Sequence, residues 1–61
     1  MKKLRELRKA RRLTLAEVAN AIGIKQQVLS YYERGDREPR LETLKKLAKF
    51  YGVSIDYLVS D

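Results

Sequence analysis

The chain has 61 residues, with 14 Lys and Arg against 8 Asp and Glu, a formal charge of 14 − 8 = +6, and no Cys, His or Trp. A chain of this length is at most one domain, read here as residues 1–61, and buries only about 60% of its unfolded surface, so a catalytic cleft between lobes is excluded, as are a zinc site, a thiol nucleophile, a Ser-His-Asp triad and a disulfide framework. The longest apolar run is Tyr57-Leu58-Val59, so no membrane span or secretory signal is read, and the expectation is a cytoplasmic protein that is not an enzyme and needs no metal or cofactor.

The first predicted element is a helix over residues 2–12, where Leu4 and Leu7 stand three apart. It carries Lys2, Lys3, Arg5, Arg8, Lys9, Arg11 and Arg12 against Glu6 alone, while residues 13–40 and 41–61 each sum to zero charge. The whole positive excess therefore sits at the amino end. That suits a polyanionic partner, nucleic acid or an anionic membrane face, and equally a solvated helix that aids solubility.

A second helix is predicted over residues 15–22 from Val18, Ala19 and Ile22. Thr14-Leu15-Ala16-Glu17 has capping-box spacing, in which the Thr hydroxyl and the Glu carboxylate each satisfy a free N–H at the helix start. Gly23 marks its end, and after only Gly23-Ile24-Lys25 a third helix runs over 26–34. A connection this short and glycine-bearing is the kind that a helix-turn-helix uses. Gly35 closes the third helix, Pro39 precedes a fourth over 41–51, and after Gly52 the start signal at Ser54 opens a fifth over 55–59. No stretch alternates like a strand, so the fold class is all-α. Helices of two or three turns are marginal alone and need one shared core, assigned to Leu4, Leu7, Leu13, Val18, Ala19, Ile22, Leu29, Tyr32, Leu41, Leu44, Leu47, Ala48, Val53 and Leu58.

At about 100° per residue, Gln26, Gln27, Ser30 and Tyr31 share one face of the third helix, opposite Leu29. That face is polar and uncharged. A glutamine amide pairs one donor with one acceptor, the complement of adenine N6 and N7 in the major groove, although an ordinary solvated face would have the same composition.

The residues Leu4-Arg5-Glu6-Leu7-Arg8, Leu13-Thr14, Ala19, Gly23-Ile24, Leu29-Ser30, Glu33, Gly35, Pro39, Leu41-Glu42-Thr43-Leu44 and Gly52-Val53-Ser54 resemble the phage-repressor (Cro and C1) type of helix-turn-helix, the XRE-like family, along essentially the whole chain. The resemblance implies a compact five-helix, lambda-repressor-like domain. Its third helix would enter the major groove of double-stranded DNA, commonly as a homodimer on a two-fold symmetric operator, in a bacterial or phage transcriptional regulator of repressor type. It also implies an ion pair between Arg8 and Glu33. Base reading falls to Gln26, Gln27, Ser30 and Tyr31, and phosphate contacts to Thr14, Gln26, Arg34, Arg37 and Arg40.

Three departures from the family pattern are visible. Leu15 stands where a phosphate-touching glutamine is common, and is expected to be an exposed apolar residue. Arg12 stands where a glycine is common, which implies a left-handed non-glycine residue costing on the order of 1 kcal/mol. Lys25 and Arg40 stand where Ser or Thr caps the third and fourth helices, and neither can accept a hydrogen bond. A broken cap at Lys25 is explained if its ammonium reaches a phosphate or a guanine edge. Phe50, Ile55, Tyr57 and Val59 exceed what one small core absorbs, so they are expected to form a homodimer interface. Those four, with Leu15, Asp36 and Glu38, also fit a different class, an antitoxin-like protein-interaction module that keeps the fold without reading DNA.

Overall fold

The computed structural model describes residues 1–60, which form α1 (Lys2–Ala10), α2 (Leu15–Ile22), α3 (Gln26–Arg34), α4 (Leu41–Tyr51) and α5 (Ile55–Val59), with no strand among the described residues. α2 packs on α3, α1 touches both α3 and α5, and α4 touches α2 and α5. Among the described residues, no helix is long and apolar enough to cross a membrane.

Four of the five helices end where the sequence places them, and α1 is the exception, stopping at Ala10 rather than residue 12. The cause is local. Arg12 adopts φ 56°, and the chain closes the helix by hydrogen bonds from Arg12 N–H to Lys9 O at 3.0 Å and from Leu13 N–H to Arg8 O at 3.1 Å. This is the closure that a left-handed residue makes at a helix end, here on an arginine. At the end of α2 the same geometry falls on Gly23, φ 80°, where no side chain is strained.

The capping box of α2 is formed, with Thr14 Oγ1 accepting from Glu17 N–H at 3.1 Å and Glu17 Oε1 accepting from Thr14 N–H at 2.9 Å. Ser54 likewise caps α5, its hydroxyl accepting from Tyr57 N–H at 3.0 Å. Lys25 and Arg40 make no side-chain cap.

The buried core is Leu4, Val18, Ala19, Ile22, Leu29, Leu47, Ala48, Tyr51 and Leu58, with Leu7, Leu13, Tyr32 and Val53 half-buried against it. Three assignments change. Leu44 is half-buried and not among the residues packed on the core. Leu41 is 58% exposed and lies outside the core, because it occupies the first position of α4, ahead of the buried Leu47, Ala48 and Tyr51, and helical side chains lean towards the N-terminus. Tyr51, absent from the expected core, is buried to 1% exposure and is the largest fully buried side chain.

Long polar groups tie the helix ends together. Arg11 donates to Phe50 O at 3.3 Å and Tyr51 O at 2.5 Å, the carbonyl end of α4, and its guanidinium lies 5.2 Å from the Tyr51 ring centroid. The Met1 ammonium donates to Tyr32 O at 2.8 Å near the end of α3. Cations are favoured at both places by the negative helix terminus.

Candidate nucleic-acid interface

The outer face of α3 is held from behind by one ion pair. Arg8 Nε donates to Glu33 Oε2 at 2.7 Å, Arg8 Nη2 donates to Glu33 Oε1 at 3.0 Å, and Nη1 donates to Leu13 O at 3.0 Å. The hydrogen bond from the arginine to Glu33 is the main influence raising the Arg8 pKa, against the desolvation that lowers it. Glu33 is thereby neutralised inside the fold, and α3 is fixed to α1 and to the turn before α2.

On the adjoining surface of α3, Gln26 and Gln27 are exposed while Ser30 and Tyr31 are half-buried, and these four line one shallow concavity with Leu15 and Arg34. The structure thus brings the four candidate base-reading residues together. Within the group, Gln27 Nε2 donates to the Tyr31 hydroxyl at 2.6 Å across one helical turn. The Tyr31 ring is flanked by the guanidiniums of Arg37, 4.8 Å from its centroid, and Arg34, 5.4 Å away. Contacts of this length are attractive through the ring quadrupole. Arg34 also pairs with Asp36 at 3.0 Å, both side chains being more than half exposed.

The remaining candidate contacts, the base-reading candidate Lys25 and the phosphate candidates Arg40 and Thr14, are exposed. Lys25 lies at the start of α3 and Arg40 at the start of α4. The backbone N–H of Thr14 is taken by the Glu17 carboxylate, so only its hydroxyl proton is free for a ligand.

Two residues border the surface that were not among its expected contacts. Leu15, expected to be an exposed apolar residue, is half-buried and packs against the core, yet still borders the concavity beside Gln26 and Ser30. The reason is its place as the first residue of α2, between the core and α3. Arg5 lines an adjoining hollow with Arg8, Leu15, Ser30, Glu33 and Arg34. Its signal was the spacing Lys2, Arg5, Lys9, which puts three cations on the side of α1 away from Leu4 and Leu7.

A polar, uncharged face on the second of two helices joined by a three-residue turn is the arrangement to which the sequence comparison speaks. The helix-turn-helix family profile matches residues 4–58. The chain belongs to the helix-turn-helix family. It is 54% identical over 59 residues to the cryptic phage CTXphi transcriptional repressor RstR of Vibrio cholerae, covering 97% of this chain and 53% of that protein. It is 43% identical over 58 residues to the HTH-type transcriptional regulator ImmR of Bacillus subtilis, covering 95% of this chain and 46% of that one. The chain spans about half the length of these two relatives. Among solved structures, the N-terminal DNA binding domain of SinR from Bacillus subtilis superposes with a TM-score of 0.85 at 27% identity, covering 97% of this chain and 87% of that one. These are relatives among helix-turn-helix regulators, not among enzymes.

In this helix-turn-helix chain the face around α5 is separate from the α3 face. Phe50 and Ile55 are half-buried against the core, and the Phe50 ring meets Tyr51 edge-on at 5.0 Å. Tyr57 and Val59 are 41% and 55% exposed, and Lys3 Nζ lies 4.9 Å from the Tyr57 ring centroid.

Proposed function

We propose that this helix-turn-helix chain reads double-stranded DNA sequence-specifically, as part of a transcriptional regulator of repressor type. α3 enters the major groove and presents Gln26, Gln27, Ser30 and Tyr31 to base edges, with Lys25 at the mouth of the groove. Thr14, Gln26, Arg34, Arg37 and Arg40 meet phosphates on either side. The observation that carries this reading is the α3 face itself: uncharged, polar, exposed at Gln26 and Gln27, and bordered by Arg34 and Arg37, with Arg5 of α1 in an adjoining hollow. Neutral amides and hydroxyls specify bases, whereas the surrounding cations position the protein on the backbone. The relatives named as transcriptional regulators and the SinR DNA binding domain support the same reading.

The exposed Tyr57 and Val59, with the half-buried Phe50 and Ile55, serve in this account as a homodimer contact on a two-fold symmetric operator, with half-sites about 34 to 36 Å apart. Sedimentation of the complex with a site selected from random DNA tests this part: two chains per site are expected, and one chain per site at saturating protein overturns it.

The salt dependence of binding to mixed-sequence DNA tests the reading as a whole. Each phosphate neutralised contributes about −0.9 to the slope of log K against log salt, so a steep negative slope is expected. A flat line would favour the protein-interaction module instead.

A further inference from the structure

The base-reading proposal treats Gln27 and Tyr31 as separate contacts, but the structure joins them. Gln27 Nε2 donates to the Tyr31 hydroxyl at 2.6 Å, and that hydroxyl is not free to wander. Its ring sits against two guanidiniums, Arg34 from the end of α3 and Arg37 from the following loop, at 5.4 and 4.8 Å. Arg34 is in turn paired with Asp36 at 3.0 Å.

The consequence follows from counting donors and acceptors. A free glutamine amide has two N–H donors and one carbonyl oxygen, and it can flip to present either end. In the arrangement present, one N–H is committed to Tyr31, which leaves one N–H and the Oε1 acceptor; the flipped amide, with the hydroxyl donating to Oε1, would instead leave two N–H donors. The N–H and Oε1 pair complements the N7 acceptor and N6 donor of adenine. Guanine offers two acceptors, N7 and O6, and needs two donors that this amide no longer has.

We infer that Tyr31 is a positioning residue for base recognition: its hydroxyl fixes the orientation of the Gln27 amide so that Gln27 selects adenine over guanine. The inference rests on the reading of α3 as the base-reading helix. It makes specificity at one base pair depend on a hydroxyl that need not itself touch that base, and it gives Arg34 and Arg37 the further task of holding the tyrosine ring in place.

The experiment uses the chain with duplexes selected by it from random DNA, in which the base pair that loses preference in Gln27→Ala is identified first. Affinities are then measured for duplexes carrying A·T or G·C at that pair, for the parent, Tyr31→Phe, Gln27→Ala and the double variant. Tyr31→Phe keeps the ring against the two arginines and removes only the hydroxyl. It is expected to lose about tenfold in the preference for adenine over guanine, with an unchanged thermal midpoint. In the Gln27→Ala background it should add nothing at that pair, since the residue through which it acts is gone. Retained discrimination in Tyr31→Phe, or an equal loss with and without Gln27, overturns the inference while leaving Gln27 as a base reader. If Gln27→Ala changes preference at no position, the base-reading proposal itself falls, and this inference with it.

Discussion

Arg8 of α1 grips Glu33 of α3 through two parallel hydrogen bonds of 2.7 and 3.0 Å, with only 13% and 4% of the two side chains exposed. A fork-on-carboxylate pair is geometrically demanding, so it sets where along α1 the base-facing helix sits. Removing Arg8 alone leaves a buried carboxylate without a partner, at a cost of about 3 to 5 kcal/mol, a large part of the stability of any small domain. Chemical denaturation should find Arg8→Met largely destabilised, and Arg8→Met with Glu33→Leu much less so. Equal loss in the single and double variants would mean that the uncompensated charge is not the cause.

Arg12 holds φ 56° at the end of α1, a conformation that costs a non-glycine residue about 1 to 2 kcal/mol. Arg12→Gly should therefore raise the thermal midpoint by about 4 to 8 °C for each kcal/mol recovered. A lower midpoint would show that the arginine side chain contributes more than its backbone costs.

The Tyr51 hydroxyl is buried with no hydrogen-bond partner among the described residues. Burial pushes its pKa up, Glu33 adds to the push, and Arg8 and Arg11 oppose it. An unpaired buried hydroxyl is costly, so Tyr51→Phe should gain about 1 kcal/mol. The sign with pH follows from proton counting. Below the ordinary phenol value near about 10 both states keep the proton. Above it the unfolded chain loses the proton first, so stability falls as pH rises through the folded-state value. Denaturation at about pH 8 and pH 11 should show a smaller alkaline decline for Tyr51→Phe than for the parent. An identical decline would remove Tyr51 from this role.

Lys25 starts α3 with no side-chain cap and puts a cation at the positive end of the helix. Lys25→Ser should stabilise the free fold by about 0.5 to 2 kcal/mol while weakening binding to DNA. Thermal unfolding and DNA titration read the two effects separately. A gain in stability with no loss of affinity on any DNA would make this lysine only a poor cap.

Much of the fold is written in local signals. Thr14, Ser54, Gly23, Gly35 and Gly52 mark helix ends whose chemistry is settled within a few residues, so the bounds of α2 to α5 are legible. The end of α1 is not legible in local chemistry, since nothing in Arg12 itself marks a left-handed turn; only the family resemblance implied one, and Arg12 does adopt φ 56°. Tyr51 has the spacing of a core residue, four after Leu47, but its polar tip argues against full burial. Only the tertiary arrangement around the end of α4, where Arg11 reaches the Phe50 and Tyr51 carbonyls, resolves that conflict. Leu41 is the reverse case, an apolar residue left outside by its place in the first turn. Around the interface, the composition of the α3 face is legible from the helical wheel alone. The stacking of Arg37 on Tyr31 is not, since it depends on how the loop after Gly35 folds back.

The central claim, that the outer face of α3 reads base edges, is tested most directly by titrating Gln27→Ala against a selected duplex and against mixed-sequence DNA at the same salt concentration. The account predicts a loss of about 1 to 3 kcal/mol on the selected duplex and no change on mixed DNA. Equal losses on both, or no loss on either, would contradict it.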